Sequence, residues 1–561
     1  MGFVGTGKAH WLPEEEQVPL YDWTVGKLLR EQSAKYPDHV AVRYLSNDLL
    51  KIPALQWTYR EYEEKARHVA KGLLAAGYRK GDHVAVWAIN IPEWLLLEMG
   101  AAKIGVVLVT MNPALREEEA GYILRASDAK GAFILSSFRG RSYAEELRRV
   151  ISSGKAPSLQ QIIAFDAAAG LLSFDELTNT GLQKISDQEL DAHESQVQAH
   201  DLFQIQFTSG TTGFPKGAML THFNAVNNAA LTFQRWNIGE GDHVCSPLPL
   251  FHTAGSILMA LGTLSVGASF TPMPYFDPSD CMRALKELKM THFGGVPTML
   301  QATFGQSAGK DESLALRQVM SGGSPVPPSL LEKIEKQFDV KTVVLMGMTE
   351  TSPVYTTTGP SDPQKKRWET CGRPLPHTEV RIVDPVTREV VNCGDPGEIE
   401  VRGYMVMAGY YKLEKETRET CSADGWLKTG DIGVLDEEGY LHVIGRIKDM
   451  IIRGGENIYP QEIENFLLTH PLIEEAQVVG IPDDYYGEVA VAFVKVRAGE
   501  ELSEEEVKQF CKGRLSHQKI PAIIRFVDSY PLTASGKVQK RILREQMLKE
   551  KEMEKRGEET Q

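Results

Sequence analysis

The sequence predicts a large α/β protein with a body of stacked, mainly parallel sheets, a compact β subdomain and a separate α+β domain. Three observations support this. Buried strands alternate with amphipathic helices over the first two thirds of the chain. Short strands separated by Gly and Asp begin near residue 378, and a new helix–strand pattern begins at Lys448. The length of 561 residues, 42% of them hydrophobic, also exceeds what one core usually serves.

The N-terminal elements establish the parallel sheet. Helical periodicity over residues 25–36 and 59–76 flanks a short strand at 40–44. A buried strand at 84–88, a helix at 93–103 and a strand at 106–110 then form a βαβ unit. Such a unit predicts neighbouring parallel strands.

The later elements extend this order and then change it. Strand and helix patterns return at 131–135, 161–165 and 244–297, with a helix at 279–288. The segments TEVRIVD, GEIEVRG and GYLHVIGR after residue 378 predict a small barrel or meander. The C-terminal domain is predicted to contain helices at 460–469 and 503–514 and strands at 475–480, 489–496 and 523–526. The charged residues 543–561 predict a frayed helix or a disordered tail.

Composition excludes several classes of protein. The net charge of −14 and the lack of a long Lys/Arg run exclude a typical nucleic-acid-binding protein. Six widely spaced cysteines without a C-x-x-C pair indicate reduced thiols, and residues 1–17 lack the features of a signal or transit peptide, so a cytoplasmic location is expected. The longest apolar stretch, 255–270, contains three glycines and is too short to span a bilayer. It predicts a buried helix and turn.

A Gly- and hydroxyl-rich loop at residues 207–217, FTSGTTGFPKG, carries the strongest chemical signal. Gly210 and Gly213 free backbone N–H groups to point inward, the hydroxyl side chains add donors, and Lys216 adds a positive charge. These properties predict a phosphate-binding loop. It is not a Walker A loop, because Pro215 precedes Lys216 and Gly217 follows it.

The loop resembles the signature of the adenylate-forming superfamily, which comprises acyl-CoA synthetases, peptide-synthetase adenylation domains and firefly-type luciferases. Further segments match the family's motifs in its usual order. They are LPLFHTAGS (248–256), GGSP (322–325), MGMTE (346–350), GRP (372–374), WLKTGD (426–431), GRIKDMIIRGGENIYPQEIE (445–464) and PLTASGKVQKR (531–541). The long matches near the C-terminus look closest to the medium-chain fatty acyl-CoA ligases. Together these motifs span most of the chain.

The resemblance implies a fold and an activity. The fold is an N-terminal domain, 1–447, of two helix-flanked sheets with a small β-barrel at about 378–445, followed by a mobile C-terminal domain, 448–561, with its hinge at Lys448 and a charged tail from about 543. The activity is the formation of an acyl-adenylate from ATP and a fatty acid of medium chain length, followed by transfer of the acyl group to coenzyme A. Mg²⁺ is the implied metal, and a homodimer is a possible assembly.

The resemblance also assigns roles at the nucleotide site. Thr349 contacts the α-phosphate, Glu350 helps to bind Mg²⁺, and Met346 stands where the family usually has an aromatic residue that stacks on adenine. A thioether can still cover the base. The β- and γ-phosphates are assigned to Thr208, Ser209, Gly210, Thr211, Thr212, Gly213, Phe214, Pro215 and Lys216, and the adenine to Gly322, Gly323, Ser324 and Met346. Gly347 and Met348 are assigned to the ATP/AMP site without a finer role.

The remaining roles concern the ribose and the two acyl-transfer steps. Asp431 and Arg446 are expected to contact the ribose, and Lys537 to bridge the acyl carboxylate and the α-phosphate as charge develops. Thr349, Glu350, Lys216 and Lys537 are therefore the predicted catalytic residues. By the same resemblance, the pantetheine entry is lined by Gly454, Gly455 and Glu456, and the acyl tunnel is bordered by His252 and Ser256.

Three alternatives stay open. An aryl-acid ligase or luciferin-type enzyme shares the scaffold, and a stand-alone adenylation enzyme would deliver to a carrier protein. A non-catalytic relative would only bind nucleotide or partners, but Glu350, Asp431, Arg446 and Lys537 are all retained.

Overall fold

A computed structural model describes residues 3–4, 7–13, 18–166, 168, 170–208, 214–305, 314–454, 456–483, 485–532 and 538–556. The chain forms two compact units. The first comprises Met1–Phe3, Trp11–Val380 and Val401–Leu427, and the second comprises Val4–His10, Arg381–Glu400 and Lys428–Gln561. Lys448 lies inside the second unit, and its role as a hinge stays a prediction.

Two mainly parallel sheets form the first unit in the described part of the chain. The first sheet has the strand order Leu172–Ser173, Gln161–Ala164, Gly131–Ile134, His83–Trp87, Val107–Thr110, Leu202–Thr208, Lys216–Thr221, Gly409–Tyr410. The second has the order Arg373–Pro374, Val354–Thr357, Lys341–Gly347, Gln318–Gly322, His292–Gly294, His243–Ser246, Ser269–Pro272, Val40–Tyr44, Leu55–Thr58.

Helices cover these sheets, as expected for parallel strands joined by right-handed crossovers. They are Val25–Lys35, Tyr59–Ala75, Pro92–Ile104, Glu117–Ala126, Tyr143–Ser152, Phe174–Lys184, Asp187–Glu194, His222–Arg235, Gly262–Val266, Pro278–Glu287, Pro297–Phe304, Pro328–Phe338, Gln364–Glu369 and Glu414–Thr420. A π-helix spans Ala254–Leu261, a 3₁₀ turn spans Thr349–Thr351, and a small hairpin pairs Ser137–Phe138 with Arg141–Ser142.

The predicted βαβ unit shows why the sequence folds in this way. All five residues of His83–Trp87 are buried, as expected for a strand covered on both faces. The helix Pro92–Ile104 begins with proline at its first position and ends at Gly105, whose φ of 70° is left-handed. The strand Val107–Thr110 then pairs in parallel with His83–Trp87. The prediction for this unit is confirmed.

The second unit contains an α+β arrangement. Its sheet consists of Glu456–Ile458, Ile451–Arg453, Gly487–Val496, Ile473–Asp483 and Ile523–Phe526 among the described residues, and its helices are Pro460–Leu467, Glu504–Cys511 and Lys540–Arg556. Short 3₁₀ turns span Ile447–Asp449 and His517–Lys519. A further sheet contains Phe3–Val4, His10–Leu12, Thr378–Val383, Gly397–Gly403, Leu427–Leu435 and Leu441–Arg446. The α/β fold class is confirmed.

One local expectation is confirmed with added detail, and another needs correction. The apolar stretch 255–270 forms the predicted buried helix and turn: the π-helix Ala254–Leu261 continues into the short α-helix Gly262–Val266, and a turn at Gly267 leads into the strand Ser269–Pro272. The segment after residue 543 is not a frayed tail over its described part. The helix Lys540–Arg556 buries Leu543 and Met547 against Val479, Ile481 and Val491 of the second unit's sheet. Charged neighbours conceal this apolar face in the sequence.

Membrane crossing is not supported by any described helix, since each is too short or too polar to span a bilayer.

Candidate active site

The two sides of the predicted phosphate loop form a β-hairpin. The strand Leu202–Thr208 pairs antiparallel with Lys216–Thr221, and Thr208 lies directly opposite Lys216. Thr208 and Lys216 are partly buried, whereas the Phe214 side chain is 68% exposed. Ser209, Gly210, Thr211, Thr212 and Gly213 lie outside the described residues, so their phosphate contacts stay predictions.

A buried carboxylate lies beside this hairpin. Glu350 belongs to the 3₁₀ turn Thr349–Thr351, which follows the strand Lys341–Gly347, and it is only 5% exposed. Its Oε1 accepts a hydrogen bond from the Tyr410 hydroxyl at 2.8 Å and a longer one from Thr208 Oγ1 at 3.4 Å. The backbone N–H of Met407 donates to the Glu350 carbonyl at 2.9 Å. The Glu350 side chain is therefore held in one orientation.

Tyr410 connects Glu350 to the lysine of the loop. The Lys216 ammonium lies 5.0 Å from the centroid of the Tyr410 ring, within the range of a cation–π interaction. Burial, followed by the charge of Glu350 and their hydrogen bond, raises the pKa of Tyr410, so the phenol stays protonated and donates. The structure thus brings together Thr208, Lys216 and Glu350, three of the predicted residues.

Tyr410 was not among the residues that the sequence indicated. It lies 60 positions from Glu350 and reaches it because Gly409–Tyr410 pairs with Met219 and Ala218 at the edge of the first sheet. No local spacing in the sequence links Tyr410 to Glu350, and only the strand pairing reveals this partner.

The predicted adenine segments lie at the carboxyl ends of neighbouring parallel strands. Gly322 ends the strand Gln318–Gly322 and pairs with Leu345, next to Met346. A Cβ on Gly322 would lie 2.7 Å from the Leu345 carbonyl oxygen, and Gly323 has a φ of 77°, so both positions favour glycine. Ser324 follows, and Gly347, Met348 and Thr349 continue from Met346. Ligands of open α/β sheets bind at this edge.

The predicted ribose residues form their own pair within the second unit. Asp431 and Arg446 are directly opposed on the antiparallel strands Leu427–Leu435 and Leu441–Arg446. Arg446 Nε lies 2.8 Å from Asp431 Oδ1, and the Asp431 side chain is buried while that of Arg446 is half-exposed. The arginine therefore orients the Asp431 carboxylate.

The residues predicted for coenzyme A and the hinge also lie in the second unit. Gly454 has a left-handed φ of 60° at the turn between Ile451–Arg453 and Glu456–Ile458. Its N–H donates to the Tyr486 carbonyl at 2.7 Å, and the exposed Glu456 accepts from Gln518. Lys448 lies in the 3₁₀ turn Ile447–Asp449. Gly455 and Lys537 lie outside the described residues.

The predicted acyl-pocket residues lie at the start of the π-helix. His252 Nδ1 accepts from the Ala254 N–H at 3.2 Å, and Ser256 is fully buried. Gln206 Nε2 donates to Ser256 Oγ at 3.3 Å and to Gln204 Oε1 at 2.7 Å. π-Helical turns occur frequently at functional sites because they displace side chains from the regular helical positions.

A buried carboxyl group completes this polar chain. Gln204 Nε2 donates to Glu98 Oε1 at 2.6 Å, and burial raises the pKa of the fully enclosed Glu98 well above its usual value. Burial therefore favours the neutral form of Glu98. Ser256 consequently stands at the end of a hydrogen-bonded chain rather than in a purely apolar environment.

The chain belongs to the AMP-binding enzyme family. The AMP-binding enzyme domain matches residues 29–411, and the AMP-binding enzyme C-terminal domain matches residues 462–537. These matches confirm the adenylate-forming resemblance that the motifs indicated.

Individual relatives resemble the chain over nearly its whole length. The Bacillus subtilis protein YngI, provisionally named an acyl-CoA synthetase, is 42% identical over 94% of this chain and 97% of its own. A Danio rerio protein named medium-chain acyl-CoA ligase ACSF2, mitochondrial, is 39% identical over 95% of this chain and 89% of its own.

Solved structures show the same fold. ATP-bound MatB from Rhodopseudomonas palustris is 29% identical and superposes with a TM-score of 0.82, covering 93% of this chain and 99% of that one. The anthranilate CoA ligase AuaEII, in complex with anthranoyl-AMP, is 26% identical with a TM-score of 0.82, covering 94% and 98%.

Proposed function

We propose that this chain is an ATP-dependent, AMP-forming acid:CoA ligase. The observation that carries the proposal is the contact of Glu350 with Thr208 and Tyr410 beside Lys216, at the base of the phosphate hairpin. The carboxylate oxygen of the acid attacks the α-phosphorus of ATP, a new P–O bond forms, and the bond to pyrophosphate breaks. The thiolate of coenzyme A then attacks the acyl carbon and expels AMP.

The chain's own residues handle charge in the first step. Two anions must approach each other, so cations and hydrogen-bond donors have to surround the phosphates. Lys216 and the Thr208 hydroxyl supply such groups from the two sides of the hairpin. Thr349, which precedes Glu350 at the carboxyl end of its strand, is proposed to contact the α-phosphate, and Lys537 to bridge it to the acyl carboxylate.

Mg²⁺ fits these residues only together with the nucleotide. Among the described residues, no group of three or more His, Cys, Asp or Glu side chains could hold a metal alone. Mg²⁺ typically uses one or two carboxylates plus substrate phosphates, and Glu350 supplies a single buried carboxylate. Bound Mg²⁺ would neutralise phosphate charge, while Tyr410 orients the carboxylate that holds it.

A medium-chain fatty acid is the proposed substrate. The names of the ACSF2 relatives and the C-terminal motif matches support it. The anthranilate ligase of the same fold makes an aryl acid the alternative. Pocket residues change readily within one fold, so the acid has to be measured.

The test is pyrophosphate and AMP release with a panel of acids, with and without coenzyme A. The panel should contain straight-chain acids from acetate to palmitate, together with benzoate, anthranilate and malonate. We expect release of AMP and formation of a thioester to be highest with acids of intermediate length. Pyrophosphate release without any thioester product would contradict the ligase and indicate delivery to a carrier protein. A preference for benzoate or anthranilate would contradict the medium-chain assignment alone.

Location and assembly complete the proposal. Six free cysteines support a reducing compartment such as the cytoplasm, although the ACSF2 relatives are named as mitochondrial. Cell fractionation tests the location. A homodimer stays a prediction, and light scattering on the purified protein tests it.

A further inference from the structure

A tyrosine outside every family motif named above touches both sides of the phosphate hairpin. Tyr122 lies on the helix Glu117–Ala126, and its hydroxyl donates to the Pro215 carbonyl at 3.0 Å. Its ring stacks on Phe214, with centroids 5.1 Å apart and planes 25° apart. The same ring meets Phe207 edge-on, at 6.5 Å and 82°.

These contacts bracket the two residues that face each other across the hairpin. Phe207 directly precedes Thr208, and Pro215 directly precedes Lys216, while Thr208 and Lys216 are paired in the sheet. A movement of either side would therefore disturb a contact with Tyr122. Phe214 is 68% exposed to solvent. Stacking on the Tyr122 ring therefore covers part of an aromatic face that would otherwise contact water.

The helix that carries Tyr122 is itself fixed to the sheet. Its Ala120, Ile123 and Leu124 are buried in a core cluster with Val107 and Val109 of the first sheet. At its start, the Glu119 carboxylate accepts from the Arg116 N–H at 2.9 Å. Arg149 of the neighbouring helix pairs with Glu117 at 2.8 Å. Tyr122 therefore connects the hairpin to a helix that is itself held in place by packing against the sheet.

We propose that Tyr122 is a positioning residue for the nucleotide triphosphate, holding Thr208 and Lys216 at the separation and orientation that the phosphates require. It acts through the hairpin and does not touch the substrate. The inference rests on the proposed function, because it assumes that the hairpin binds ATP. The physical basis is entropic. If the hydrogen-bond donors are already aligned before ATP binds, less conformational entropy is lost on binding, and the affinity for ATP is higher.

The test compares variants that remove one contact at a time. Y122F keeps both ring contacts and removes the hydrogen bond to Pro215, whereas Y122L also removes the aromatic stacking. The matched control is Y143F, because Tyr143 belongs to the same apolar cluster and its hydroxyl donates to the Pro113 carbonyl at 3.2 Å. Thermal unfolding of each variant establishes that it is folded.

We expect Y122F to raise the KM for ATP by about threefold to tenfold, the effect of one lost neutral hydrogen bond, with the KM for the acid unchanged. Y122L should raise the KM for ATP further and should also lower kcat. Y143F should leave both KM values as in the wild type. Equal effects of Y122F and Y143F, or an unchanged KM for ATP in Y122L, would overturn the proposal. If Y122L does not fold, the comparison of Y122F with Y143F decides.

Two measurements separate this inference from the proposed activity. If the wild type adenylates no acid in the panel, the proposed function fails, and calorimetric binding of MgATP to Y122F and Y143F then tests Tyr122 directly. Trypsin cleavage after Lys216, mapped by mass spectrometry, tests hairpin order without any nucleotide. Faster cleavage in Y122L than in the wild type and Y143F supports the positioning role, and equal cleavage rates contradict it.

Discussion

Removing the Tyr410 hydroxyl tests whether Glu350 takes part in adenylation, because this hydroxyl donates a hydrogen bond to the Glu350 carboxylate. Y410F keeps the ring beneath Lys216 and removes the 2.8 Å hydrogen bond to the Glu350 carboxylate. A hydrogen bond to a charged group contributes about 1.5–3 kcal/mol, so kcat/KM for adenylation should fall by about tenfold to a hundredfold. Acid-dependent pyrophosphate release measures this loss.

The neighbouring tyrosine provides the control. The Tyr411 hydroxyl donates to Asp128 Oδ2 at 3.0 Å, a tyrosine–carboxylate bond of the same kind that lies away from Glu350. Y411F should therefore change adenylation little. Equal losses in Y410F and Y411F would show that Tyr410 acts through stability and not through Glu350.

Single residues also show what a motif can and cannot indicate. Glu350, Thr208 and Lys216 were predicted from their positions in the motifs, and the structure places the three side chains together, with Tyr410 between Glu350 and Lys216. Tyr410 and Tyr122 belong to no such motif. Their partners are distant in the sequence, so no local spacing predicts the contacts.

Among the elements, the helix after the phosphate hairpin contains a buried titrating group. His222, the first residue of the helix His222–Arg235, is fully buried, and its Nδ1 accepts from the Val25 N–H at 3.2 Å. Burial lowers the pKa of His222 to about 4. The unfolded chain therefore binds a proton at His222 below about pH 6.5, whereas the folded protein binds it only below about pH 4.

The consequence is a loss of stability in acid. As the pH falls from about 6.5 to 4, the unfolded chain binds a proton at His222 and the folded chain does not, so the free energy of unfolding decreases by about 3 kcal/mol from this group. H222N keeps a hydrogen-bond acceptor and removes the titration. Guanidinium unfolding at pH 7 and pH 4.5 should show a smaller decrease in H222N than in the wild type.

His292 provides the comparison for this prediction. It is also buried, and burial lowers its pKa to about 4 as well. Part of the acid destabilisation should therefore persist in the variant. An H222N protein with the full wild-type decrease would contradict the assignment to His222.

The sequence predicted helices and strands of regular period well, and it predicted a buried helix in the apolar stretch 255–270 but not the π-helical geometry of that helix. The βαβ unit at His83–Thr110 followed from buried strands around an apolar helix with proline and glycine at its ends. The π-helix Ala254–Leu261 has no distinctive sequence pattern, because its wider turn is selected by surrounding packing. The packed helix Lys540–Arg556 was missed because only Leu543 and Met547 mark its buried face, and the charged residues around them predicted a solvent-exposed tail.

At the scale of the whole molecule, the two half-reactions are proposed to use different parts of the second unit. Lys537 is proposed to serve adenylation, and the turn at Gly454 is proposed to line the pantetheine entry for the transfer to coenzyme A. The hinge at Lys448 would allow one domain to perform both tasks in sequence. This arrangement predicts that the half-reactions can be separated by mutation.

K537A is expected to abolish acyl-adenylate formation and to leave thioester formation from supplied acyl-AMP. The reason is that the lysine ammonium stabilises charge between the carboxylate and the α-phosphate, a charge that is absent once the adenylate exists. Pyrophosphate release measures the first step, and thioester formation from synthetic acyl-AMP measures the second. A variant such as K540A, which loses the ion pair of Lys540 with Glu464 at 2.6 Å, controls for changes in local structure. Equal loss of both steps in K537A would contradict the assigned role.

The sequence by itself determined the fold class, the order of the motifs and the family, because buried periodicity and residue type are local properties. Within each unit, the tertiary structure decided which side chains contact each other. Strand pairing brings Tyr410 to Glu350, helix packing brings Tyr122 to Pro215, and an antiparallel register joins Asp431 to Arg446. Each contact depends on the three-dimensional path of the chain, since the energy of pairing distant segments cannot be inferred from either segment alone.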